Sequence, residues 1–188
     1  MATTLLPMPL PSAVDRREQI QSEGPQSPGV FVRELTSEDR ADIIGLFEQL
    51  SYRDRVFRFF RAMPEYQPPV IELLTAIDGF DHVAYGAFTE GRCVGVARFI
   101  RAASRPEAAE VAVTVAPTHR SRGLARLLVG ALESPAERCG VDTFEVNIYP
   151  ENRGASVLFR SLGYNTRFAD GIITGSKALG VDQLAVAA

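Results

Sequence analysis

The stretch from Ala109 to Ala125, AEVAVTVAPTHRSRGLA, constrains the chain most, because its hydrophobic period changes in the middle. Up to Val115 the side chains alternate as in a half-buried strand. Val111, Val113 and Val115 share one face, and Glu110, Ala112 and Thr114 share the other. After Pro117 the period becomes helical, with Leu124, Leu127, Leu128, Ala131 and Leu132 recurring behind a short basic turn. The order is strand, turn, helix, and the strand delivers a carboxylate.

The turn contains Arg120-x-x-Gly123-x-Ala125, in which small residues let backbone N–H groups point at a ligand. The unpaired N–H groups and dipole of a helix N-terminus suit a phosphate, and Arg120 and Arg122 add charge. This pattern predicts a pyrophosphate cradle. It is neither a dinucleotide fingerprint, since G-x-G-x-x-G is missing, nor a Walker loop, since no Gly-Lys-Ser/Thr follows.

Around this unit the expected elements run in order. Val30 to Leu35 forms a first strand, and Thr36-x-x-Asp39 offers a capping box for a helix with Ile43, Phe47 and Leu50 on its apolar side. Ser51-x-x-Asp54 caps a second helix whose stripe of Tyr52, Val56, Phe59, Phe60 and Met63 is expected in the core. Pro68 and Pro69 suit the first turn of a third helix. HVAYGAFT and CVGVARFIR form a hairpin around Glu90-Gly91, and Arg105 to Ala109 is expected as the loop that follows. Ser134-Pro135-Ala136-Glu137 predicts a kink or restart of the long helix and also spells a capping box. FEVNIY is a strand, Asn152 opens a helix ended by Gly163, and a last hairpin turns at Ala169-Asp170-Gly171.

One domain is expected over residues 30–177. Met1 to Gly29 is proline-rich and without period, which predicts a flexible tail rather than a secretory signal, and Ala178 to Ala188 is expected to fray. Among the 188 residues, 46% are hydrophobic and 23% charged, and no apolar run is long enough to suggest a membrane span. A formal net charge of −3 gives no general reason to expect nucleic-acid binding. Cys93 and Cys139 are isolated and read as reduced thiols, and His82 and His119 are too scattered for a metal site, so no metal is expected.

The strand, basic turn and helix resemble the coenzyme A loop of the GNAT acetyltransferase superfamily, in which Q/R-x-x-G-x-G/A joins a central strand to the next helix. The segments VRELTSED, SYRDRVFRFF, AEVAVTV and NRGASVLFRSLGY are most similar to the acetyltransferase domain of bacterial protein lysine acetyltransferases of the Pat type. The resemblance implies an α+β fold, a central, mixed, mostly antiparallel sheet flanked by helices. It also implies a cytoplasmic acetyl-CoA-dependent N-acetyltransferase, monomeric or homodimeric, without nucleic-acid or membrane partners.

By that resemblance Glu110 is the general base for the acceptor amine. Backbone groups around Val113, Thr114 and Val115 bind the pantetheine arm, and Arg120, Ser121, Arg122, Gly123, Leu124 and Ala125 hold the pyrophosphate. Asn152 touches the coenzyme, and the region of the second helix borders the acceptor site. Without the resemblance, Glu110 is a solvated strand charge or half of an arginine pair, and Asn152 is a helix cap. Phe159 stands where many members carry a proton-donating Tyr, which leaves the acid unassigned; Tyr164 is more simply a packing residue.

A protein lysine is the leading acceptor, with an acyl-CoA synthetase as one such partner. A free lysine ε-amine has a pKa of ~10.4, so presenting it neutral near pH 7.4 costs about 4 kcal/mol, which gives the base its task. Acetylation of a small amine, such as a polyamine or aminoglycoside, is the second reading. A non-catalytic acyl-CoA sensor is the third.

Overall fold

The computed structural model describes residues 29–180, and the expected N-terminal tail lies outside them apart from Gly29. Strand β1 (Phe31–Glu34) leads through a 3-10 turn at Ser37–Asp39 into α1 (Arg40–Glu48), followed by α2 (Tyr52–Phe59) and α3 (Pro68–Thr75). Both predicted capping boxes form: Thr36 and Asp39 exchange side-chain and backbone bonds, as do Ser51 and Asp54. Strands β2 (His82–Thr89), β3 (Arg92–Ala102) and β4 (Arg105–Val115) come next, then α4 (Leu124–Ala131) and α5 (Glu133–Arg138). β5 (Thr143–Ile148), α6 (Arg153–Ser161), β6 (Asn165–Ala169) and β7 (Ile172–Ala178) complete the order.

The strands make one seven-stranded sheet in the order β1-β2-β3-β4-β5-β7-β6, antiparallel throughout except where β4 lies parallel to β5. The predicted mixed, mostly antiparallel α+β architecture is what the chain adopts. Two hairpins turn through left-handed pairs that match strand twist, Glu90-Gly91 and Asp170-Gly171.

Alternation along β3 separates two layers. Arg98 reaches the carbonyl of Leu74 in α3 and the ring of Phe47 in α1, whereas Gly95, on the other face, abuts α4. A Cβ on Gly95 would lie 2.9 Å from Leu128 Cδ1, so glycine allows α4 to lie this close to the sheet. Val96, Phe99, Leu128, Leu132, Phe144 and Ile148 are fully buried in the core on either side.

Three local expectations change. Arg105 to Ala109 belong to β4 instead of forming a loop, because the chain reverses within Ala103-Ser104 and Arg105 then clamps Glu145 of β5 at 2.7 and 2.6 Å. The second helix stops at Phe59, and Phe60 adopts a left-handed cap (φ 55°), so Met63 is buried from beyond the helix. The long helix does restart, but at Glu133: Pro135 takes a first-turn position where its missing N–H matters little, and Ser134 accepts from Arg138 in place of capping.

At the C-terminus, Ala178 still belongs to β7, and the buried Leu179 donates its N–H to the Asp142 carbonyl at 2.7 Å. The rest of the expected frayed end, residues 181–188, lies outside the described residues. Among the described residues, no helix is long and apolar enough to cross a membrane.

Candidate active site

β4 and β5 pair only through Ala108, Ala109 and Glu110, which face Thr143, Phe144 and Glu145. Beyond this point β4 stays with β3 as far as Val115, and β5 stays with β7 as far as Ile148. The two strands therefore part in the middle of the sheet. A cleft of about 590 Å³ occupies the gap, bordered by α2, the turn before α4, and α6. Glu110 is exposed in this cleft at the last paired position before the fork.

Val113, Thr114 and Val115 line the open side of β4. In the turn that follows, Ser121 (φ 60°) and Gly123 (φ 77°) both take left-handed conformations. Gly123 is the N-cap of α4, and no side chain caps that helix, so its first N–H groups are left for another acceptor. Leu124 is buried beneath the turn and Ala125 is half-buried at the cleft wall.

Arg120 lines the cleft, where its Nε donates to the Val115 carbonyl and its Nη2 pairs with Asp54 of α2 at 2.9 Å. Arg122 is exposed but does not line the cleft; the arginine that joins Arg120 at this end is Arg126, which the sequence reading missed. Arg126 lies in the first turn of α4 and binds the Ser161 carbonyl and hydroxyl at 3.3 and 2.6 Å, tying α4 to α6. Asn152 lines the cleft while its Oδ1 accepts the Ala155 N–H at 3.2 Å, so the side chain also caps α6.

The other end of the cleft belongs to α2. Its aromatic stripe is divided: Phe59 packs on Phe47 and Tyr66 in the core, while Phe57 and Phe60 lie 5.7 and 5.8 Å from the ring of Tyr149 at the end of β5. Arg58 lines the cleft close to Glu110. Burial lowers the pKa of its guanidinium, and the field of the Glu110 carboxylate opposes that loss.

Behind Arg58 lies Arg98, only 1% exposed, with the pKa of its guanidinium drawn down to about 9 by burial and then by Arg58. His82 supports it: the Ala76 carbonyl can only accept, so Nδ1 carries the proton, and Nε2 accepts from Arg98 at 3.3 Å. That neutral tautomer agrees with a His82 pKa lowered to about 4 by burial and Arg98.

Phe159 lines the cleft, whereas Tyr164 is buried against it edge-to-face at 4.9 Å with its pKa pushed up by burial. Both cysteines are free, and burial pushes the Cys93 thiol up to about 12. Among the described residues, no group of His, Cys, Asp and Glu is arranged to hold a metal.

Residues 32–164 match the model of the acetyltransferase (GNAT) family. The chain is 29% identical over 113 residues to Acetyltransferase Pat of Mycolicibacterium smegmatis, a match covering 58% of this chain and only 34% of that protein. The GNAT domain of S. lividans PAT superposes with a TM-score of 0.74 at 26% identity, covering 80% of this chain and 90% of that one. YncA of Salmonella typhimurium, a putative acetyltransferase solved with acetyl-CoA, shares the fold at a TM-score of 0.64 and 20% identity, covering 84% and 96% of the two chains. The parted strands, the uncapped helix and the carboxylate at the fork all lie inside the matched segment, and the chain belongs to the GNAT family of acetyltransferases.

Proposed function

We propose that this acetyltransferase moves an acetyl group from acetyl-CoA to the ε-amine of a protein lysine, with Glu110 as general base. The observation that carries the reading is the position of Glu110 at the fork, where an amine entering from α2 would meet a group held between β4 and β5. The similarity to Pat and to the GNAT domain of PAT supports a protein acceptor.

The chain's own groups fit the coenzyme. The side of β4 at Val113 to Val115 that β5 leaves free offers backbone groups to an extended amide-bearing arm, with the Val115 carbonyl shared with Arg120 Nε. The uncapped N-terminus of α4, with Ser121, Gly123, Arg120 and Arg126, suits a diphosphate. When bound, acetyl-CoA supplies the activated acyl group as a thioester. Glu110 accepts a proton from the lysine ammonium, directly or through water, so that the neutral amine can attack. Phe159 has no proton to give, and a thiolate is a good enough leaving group for the acid to be dispensable.

The test is coenzyme A release from acetyl-CoA with lysine-bearing proteins, an acyl-CoA synthetase among them, beside a panel of free amines. Turnover on the protein supports the reading, and turnover confined to free amines replaces its substrate. Tight acetyl-CoA binding without turnover on any acceptor would leave a sensor.

A further inference from the structure

The acceptor end of the cleft holds more positive charge than its own carboxylates offset. Among the described residues, no hydrogen bond or ion pair engages the half-buried guanidinium of Arg58. Among the same residues, Arg98 behind it has no carboxylate partner, and its Nη2 has no hydrogen-bond partner. Arg53, exposed and outside the cleft lining, stacks at 5.0 Å on Phe57, which does line it, and Arg61 is exposed just past the helix. Asp54, the acidic residue of α2, is committed to Arg120 and to the Ser51 cap. Glu110 is therefore the carboxylate whose field Arg58 feels in the cleft.

Buried guanidinium groups without paired anions are expensive to maintain. An incoming ammonium would add to the local positive charge unless it arrived with a negative group of its own. A carboxylate beside the amine would meet Arg58 in a partly desolvated site, where charge-assisted bonds are stronger than in open water, and would relieve its repulsion with Arg98.

We propose that Arg58 forms an anion subsite beside Glu110, selecting amines that carry a neighbouring carboxylate. Under the protein-lysine reading, on which this rests, that carboxylate is an Asp or Glu flanking the target lysine. The α-carboxylate of a free amino acid carries the same chemistry. Glu110 takes the ammonium, and Arg58, with Arg53 and Arg61 outside it, takes the flanking charge.

The experiment measures acetyl-CoA-dependent turnover of matched lysine peptides with acidic, neutral or basic flanks, and of lysine against lysinamide, by wild type, Arg58→Gln and Arg58→Lys. Wild type is expected to favour acidic over neutral flanks by about tenfold in kcat/KM, carried mainly by KM and weakened by salt. Arg58→Gln should erase the preference, and Arg58→Lys should restore part of it. Acetyl-CoA affinity, measured alongside, reports that each variant is folded.

A preference confined to lysine over lysinamide supports the subsite while moving its ligand to free amino acids. Equal use of acidic and neutral acceptors by wild type, or a preference that survives Arg58→Gln, overturns the subsite and leaves lysine acetylation standing. Failure of every acceptor despite tight acetyl-CoA binding overturns both.

Discussion

Arg120 Nη2 lies 2.9 Å from Asp54 Oδ1, so the turn preceding α4 is tied to the first turn of α2 across the mouth of the cleft. The same Asp54 carboxylate accepts from the Ser51 N–H and hydroxyl, which makes one side chain both a helix cap and a counter-ion. A diphosphate at the turn would compete with Asp54 for Arg120. Asp54→Asn keeps an acceptor for the cap but removes the competing charge. Acetyl-CoA should then bind about two- to fivefold more tightly, in line with a partly exposed ion pair. Calorimetric titration at low and high salt checks this, with the gain expected to shrink as salt rises.

Glu110→Gln removes a proton acceptor and preserves shape. Turnover is expected to fall about 10²- to 10⁴-fold while the Kd for acetyl-CoA stays near the wild-type value. The deficit should narrow as pH climbs toward the ~10.4 of free lysine, where the amine needs less help to deprotonate. Parallel pH profiles of kcat for the two enzymes test both parts.

His82 gives stability a pH dependence of known sign. Its pKa falls from 6.5 to about 4 on folding, so above about 6.5 it is neutral in both states and carries no penalty. As pH drops from about 6.5 to about 4, the unfolded chain binds a proton that the folded chain refuses. Stability should decline across that window by about 3 kcal/mol in total. Denaturant unfolding at neutral pH and near pH 4.5 measures the loss, and His82→Gln should flatten it.

The contact between Gly95 and Leu128 sets the distance from α4 to the sheet. Gly95→Ala forces a Cβ against Leu128 Cδ1, which can yield only by changing rotamer in a closed core. The expected loss is about 1–3 kcal/mol of unfolding free energy, read from the urea midpoint. Since the turn proposed for the diphosphate leads into α4, acetyl-CoA affinity should weaken in the same variant.

Local signals in the sequence transferred well into the fold. The change of period after Val115, the boxes at Thr36 and Ser51, and the hairpin turns at Glu90-Gly91 and Ala169-Asp170-Gly171 depend on near neighbours, and each formed as expected. What depends on distant partners did not show. The strand character of Arg105 to Ala109 comes from β3 and from Glu145, forty residues away. The division of the α2 stripe between core and cleft depends on Tyr149 approaching from β5. Arg126 carries no motif, and Arg58 lies in the SYRDRVFRFF segment without any local signal that singles it out; the tie of α4 to α6 and the approach of α2 to the cleft bring them to the site.

The fork between β4 and β5 also bears on solubility. A row of unpaired strand groups at a sheet margin invites another chain to add on, and proteins blunt such margins with charge or cover. Here an unpaired row lies in the interior of the sheet, with α2 and α6 bordering the gap. A second polypeptide strand, with side chains projecting on alternate faces, would need more room between those helices than a thin arm with few substituents. The fold thus keeps adhesive backbone available without presenting it to its own copies as a template for aggregation.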